Sequence, residues 1–99
     1  MLPIFDESTG LLLKAIHFSA NKHRDQRRKD QEQTPYINHP IAVTQRLWEI
    51  GGVRDPITLI AAVLHDTIED TETSGQEIET LFGSGVLSVV MDWTFDKKR

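Results

Sequence analysis

The stretch Asp55–Asp70 constrains this chain more than any other. Ile57, Ile60, Ala61 and Leu64 share one stripe at helical spacing, and Leu59 and Val63 fill another side. A helix apolar on most of its circumference belongs at the buried centre of a bundle. Asp55 and Pro56 supply an N-cap and a first-turn proline that fix its start. At its other end His65, Asp66, Glu69 and Asp70 follow directly on the most hydrophobic segment. Burying such groups costs several kcal/mol each unless they are paired, hydrogen-bonded or bound to a metal, so chemistry is expected here. With the helix continued one more turn, Glu69 lies a turn beyond His65 and Asp70 a turn beyond Asp66, each pair on a shared face.

The rest of the chain is also helical in pattern. Leu11, Leu12, Ala15, Ile16, Phe18 and Ser19 predict a helix from about Ser8 to His23, and Lys29 to Pro35 reads as a loop. Pro40 disfavours a helical backbone at His39 and is itself suited to a first helical position, which places His39 at the mouth of a second helix. That helix carries Ile41, Val43, Leu47, Trp48 and Ile50 and stops at Gly51-Gly52. Thr73 and Gln76 fit a capping box for a short helix with Ile78, Leu81 and Phe82, closed by Gly83. Val86, Val89, Val90 and Trp93 mark the last helix. No useful run alternates with a period of two. The expectation is an all-α fold of about five helices, in one domain over residues 1–99.

The chain has no cysteine, so any metal must be held by His, Asp or Glu. The longest apolar run, Leu59 to Leu64, is far short of the roughly 20 residues of a membrane span. Met1 to Gly10 carries Asp6 and Glu7 and no basic segment, unlike a signal peptide. A cytoplasmic protein without a membrane partner is expected. A net charge of −4 argues against DNA binding through overall field, but the charge is segregated. Five of the eleven basic residues fall in Lys22 to Lys29, while Asp55 to Asp96 contains no Lys or Arg and nine acidic residues. An anionic ligand at one end, with carboxylates and a cation at the other, suits this layout; separately solvated faces would give the same pattern. His39, His65 and Asp66 offer a nitrogen and oxygen donor set suited to zinc, manganese or iron. Taken singly, a His-Asp pair at a helix end is more often a hydrogen-bonded pair, and a histidine beside a proline is as often structural.

Four segments taken in order change that balance. His23-Arg24-Asp25-Gln26-Arg27-Arg28-Lys29, Thr34-Pro35-Tyr36-Ile37-Asn38-His39-Pro40-Ile41, Leu64-His65-Asp66-Thr67-Ile68-Glu69-Asp70-Thr71 and Phe82-Gly83 together resemble the HD hydrolase domain of RelA/SpoT homologues. They are most similar to the small, hydrolase-only, metazoan-type SpoT homologues. The resemblance runs from the first helix to Lys97. It implies an HD-domain helical bundle and a manganese-dependent hydrolase that removes the 3′-pyrophosphate of (p)ppGpp, the alarmone of the stringent response. It further implies that His39, His65 and Asp66 are metal ligands, that Glu69 and Asp70 orient or deprotonate the attacking water, and that Arg28 and Lys29 contact the guanine nucleotide. Tyr36 and Asn38 fall inside the matched motif in a supporting role.

The resemblance also implies an absence. The family's fourth metal ligand, an aspartate in a leucine-alanine-aspartate motif, lies beyond the end of this sequence, so the chain matches the N-terminal half of the family's domain. Trp93-Thr94-Phe95-Asp96-Lys97 stands where the family usually has Val-Thr-Asp-Asp-Lys, Leu87 occupies a usually polar position, and Gly75 comes early in its helix. Apolar surface at Leu87, Trp93 and Phe95 suits packing against a C-terminal half or a second copy of the chain. Two other functions stay open at this level. One is a catalytically incomplete nucleotide-binding or regulatory module; the other is a phosphohydrolase of another 2′- or 3′-phosphorylated nucleotide such as NADPH.

Overall fold

A computed structural model of the chain describes residues 7–29 and 31–97, with residues 94–97 described by backbone alone. Met1 to Asp6 and the Phe95 side chain, both read above, lie outside the described set. Five helices follow in order: α1 (Glu7–Lys22), α2 (Asn38–Glu49), α3 (Pro56–Asp70), α4 (Gly75–Phe82) and α5 (Ser84–Lys97). The all-α expectation holds. No helix among the described residues is long and apolar enough to cross a membrane.

Helix α3 is the buried centre. Every residue from Leu59 to Leu64 is buried, and burial continues through Asp66 and Thr67. Asp55 caps it as expected, accepting from the Ile57 amide at 3.3 Å and the Thr58 hydroxyl at 2.7 Å. Ala15 and Ser19 of α1 are both fully buried. Ser19 donates to the Val63 carbonyl at 3.1 Å, so small residues let the α1 backbone approach α3. Ile78 and Phe82 of α4 and Val86 and Val90 of α5 complete this core. Helix α2 lies against α3 but buries little: Pro40 is its only fully buried residue, and Trp48 is half-exposed beneath the Arg54 guanidinium, 3.7 Å from its ring centre.

Two helix starts differ from expectation. Helix α2 begins at Asn38, which puts His39 inside the first turn and Pro40 third. The entry is already right-handed, with Ile37 at φ −56° and ψ −25°, and the Asn38 and His39 amides bond to the Pro35 and Tyr36 carbonyls at 3.1 and 2.9 Å. A proline in the first turn removes no i−4 bond, so the local bias at His39 yields to this turn. Helix α4 is capped by Ser74, which accepts from the Glu77 amide at 3.1 Å, and not by Thr73. Thr73 is drawn off by its hydroxyl contact with Thr71 at 2.6 Å. Gly83, at φ +96°, ends α4 as expected.

Gly75 lies beside Leu87: a Cβ at residue 75 would stand 3.4 Å from Leu87 Cδ1, an ordinary contact distance.

Candidate active site

The end of α3 carries a histidine whose protonation is set by its own helix. His65 Nδ1 lies 2.7 Å from the Ala62 carbonyl, which can only accept, so the proton is on Nδ1. Nε2 faces Asp66 Oδ1 at 3.1 Å, an ion pair when the imidazole is protonated, and Asp66 is 1% exposed. An imidazole anchored on a backbone carbonyl beside a buried carboxylate is the arrangement that metal-ligating histidines adopt. The donor chemistry therefore fits a divalent ion. Trp93 walls the histidine, edge to face, with ring centres 5.5 Å apart.

Tyr36 occupies the other side of Asp66. Its hydroxyl donates to Asp66 Oδ2 at 2.8 Å and lies 3.3 Å from Asp70 Oδ2, so the two carboxylates predicted to share a face do so, joined by one phenol. Burial, then the hydrogen bond to Asp66, then the negative charges of Asp66 and Asp70 push the Tyr36 phenol up from its ordinary value of 10. It is the only tyrosine, so absorbance at 295 nm during alkaline titration reports it alone. Ionisation is expected above pH 10. Because the folded value is the raised one, the stability linked to this proton is full below pH 10 and is lost as pH climbs toward the folded value. Ionisation at the ordinary value would mean that the hydroxyl is not held by the carboxylates.

His39 stands against Tyr36, edge to face, at 5.9 Å between ring centres. It is linked to Asp66 through the tyrosine. Among the described residues no three His, Asp or Glu side chains stand close enough together to hold an ion. Glu69 is half-buried and Asp70 exposed at the same helix end.

The basic segment separates into two groups. Lys22 pairs with Glu77 at 3.2 Å and donates to the Glu72 carbonyl; Arg27 donates to the Arg24 and Gln26 carbonyls. Arg24 and Asp25 form a largely exposed pair of little energetic weight. Arg28 and Lys29 are instead exposed on a loop whose arms are paired, Arg28 to Thr34 at 2.8 Å and Tyr36 to Gln26 at 3.0 Å. They line a cleft of about 280 Å³ with Arg27, Tyr36 and His39. An adjoining groove of about 280 Å³ is lined by Arg28, Asn38, His39, Ala42, Val43 and Arg46. Cationic side chains thus border the acidic end of α3, with His39 and Tyr36 between. Arg46 escaped the sequence reading; its signal was the seven-residue spacing from His39, two helical turns along one face.

The HD domain family model matches residues 15–95. The guanosine-3′,5′-bis(diphosphate) 3′-pyrophosphohydrolase MESH1 of Xenopus tropicalis is 53% identical over 88 residues, covering 89% of this chain and 49% of that protein. The human protein of the same name is 54% identical over 86 residues, covering 87% of this chain and 48% of its own length. A solved structure described as a metazoan ortholog of SpoT that hydrolyses ppGpp superimposes with a TM-score of 0.82 at 38% identity, over 93% of this chain and 49% of that one. The chain spans about half the length of these relatives.

Proposed function

The chain belongs to the HD domain family, and from that premise we propose that it carries the ion-binding and nucleotide-facing half of a guanosine-3′,5′-bis(diphosphate) 3′-pyrophosphohydrolase. The observation that carries this reading is the His65–Asp66 pair, an imidazole held by the Ala62 carbonyl with its second nitrogen 3.1 Å from a buried carboxylate. His65 Nε2 and Asp66 would hold a divalent ion, assigned as Mn²⁺, with His39 as the third protein ligand. Such an ion, when bound, lowers the pKa of its water and offsets charge at phosphorus.

The remaining roles belong to the chain's own side chains. Tyr36, kept protonated, holds the Asp66 carboxylate in one orientation. Asp70, exposed and one turn along from Asp66, takes the proton from the attacking water and can pass it to solvent; Glu69 orients that water. Arg28 and Lys29 meet the nucleotide's negative charge from the adjoining cleft. The leaving group is the ribose 3′ oxygen. The compartment assigned is the cytoplasm.

The test is pyrophosphate release from guanosine-3′,5′-bis(diphosphate) by Mn²⁺-supplied protein, in the 99-residue chain and in that chain joined to the C-terminal half of a relative. The chain alone is expected to bind Mn²⁺ weakly; the joined protein is expected to release pyrophosphate and to lose this with His65→Ala. Intact nucleotide with the joined protein would overturn the hydrolase reading.

A further inference from the structure

His23 directly follows α1 and is 1% exposed, yet it is not satisfied as a core residue: among the described residues its Nε2 has no hydrogen-bond partner. Its other nitrogen lies 2.8 Å from Gln26 Oε1, and the Gln26 amide nitrogen donates to the Asp70 carbonyl. That donation decides which way the amide faces. Oε1 must therefore accept from Nδ1–H of His23, which leaves Nε2 with a bare, buried lone pair. A buried acceptor left unpaired is a net cost that a phenylalanine of similar shape would not incur. The ring has a second contact. It stacks on Tyr36 at 4.6 Å between centres and 31° between planes, and Tyr36 is the residue whose hydroxyl joins Asp66 to Asp70.

We infer that His23 is a positioning residue for the acidic end of α3. Its Nδ1–H sets Gln26 on the Asp70 carbonyl, and its ring sets Tyr36 on the Asp66 and Asp70 carboxylates. The two arms approach the same helix turn from the main-chain and the side-chain side. This deepens the hydrolase reading and rests on it for the consequence at the ion; the positioning itself involves only residues of the chain. A space-filling histidine predicts that stability and site geometry change together. A positioning histidine separates them.

The test uses the 99-residue chain with His23→Phe, which keeps the ring and removes both nitrogens, His23→Asn, which keeps a donor near the Nδ1 place and removes the ring, and Gln26→Leu. Circular dichroism and thermal melts report the fold. Proton NMR of the metal-free chain reports the Tyr36 hydroxyl, a single resonance because there is one tyrosine. Titration with Mn²⁺, followed by electron paramagnetic resonance of the free ion, reports affinity. His23→Asn is expected to lose the hydroxyl resonance that His23→Phe retains. His23→Phe and Gln26→Leu are expected to bind Mn²⁺ about 10- to 100-fold more weakly, the usual range for outer partners of a metal ligand, with His23→Phe melting no lower than the parent. An unchanged Tyr36 resonance in folded His23→Asn would overturn the inference, as would Mn²⁺ affinities that match the parent or simply track melting temperature. If the parent binds no Mn²⁺ while the Tyr36 resonance depends on His23 as expected, the positioning stands and the ion-binding reading falls.

Discussion

Asp66→Asn is expected to abolish measurable Mn²⁺ binding, a loss of more than about 100-fold, while leaving the helices intact. The expectation rests on what each oxygen of Asp66 faces. Oδ2 accepts from Tyr36, and Oδ1 faces Nε2 of His65 at 3.1 Å. An amide of the same shape can keep the first contact through its oxygen and turn its NH₂ toward the imidazole. The contact with His65 is thereby kept as a hydrogen bond. It also removes a carboxylate charge from a position that is 1% exposed, where an ionised group is costly without a counter-ion. The metal-free protein should therefore melt no lower than the parent, and a small rise would fit a site that trades stability for function. The ion, by contrast, loses its anionic ligand, a larger change than the 10- to 100-fold associated with outer partners. Calorimetric titration with Mn²⁺ and thermal melts of the metal-free chain read the two effects separately. Undiminished Mn²⁺ binding would remove Asp66 from the ligand set, and a collapse of the melting temperature would mean that its charge is structural.

What sequence could show of this site followed one rule: residues that contravene the pattern around them are legible. Helix α3 was readable because its apolar stripes are continuous and its cap is local, and His65 and Asp66 stood out against that background. The α4 cap falls on Ser74 and not on the expected Thr73 because both offer a hydroxyl in capping register and Thr71, whose contact with Thr73 is a matter of chain path, decides between them. The helical start at His39 depended on the turn from Pro35 to Asn38 overriding a proline's local preference. Tyr36 and Gln26 matter through partners 30 or more residues away, at Asp66 and Asp70, and His23 matters through those two residues; no periodicity encodes such a meeting. The basic segment looks uniform in sequence; only tertiary contacts show that Lys22 is spent on Glu72 and Glu77 while Arg27, Arg28 and Lys29 line the cleft.

Glu69→Gln combined with Asp70→Asn is expected to reduce turnover by about 10² to 10⁴ while Mn²⁺ affinity stays within about tenfold of the parent. The separation follows from position. Asp66, the assigned ligand, has its second oxygen fixed by Tyr36, and Asp70 touches that phenol only at 3.3 Å, so the ligand's placement does not depend on the Asp70 charge. The Asp70 main chain is held independently, through its carbonyl and the Gln26 amide, so replacing the side chain leaves the helix end where it was. What the double substitution removes is the proton-accepting capacity beside the ion, and a positioned general base contributes about the factor given. Turnover must be read in protein that hydrolyses guanosine-3′,5′-bis(diphosphate), and affinity by Mn²⁺ titration of the same sample. Loss of the ion together with turnover would instead make Glu69 or Asp70 a ligand, and α3 would then supply three or more of the ion's contacts from two successive turns.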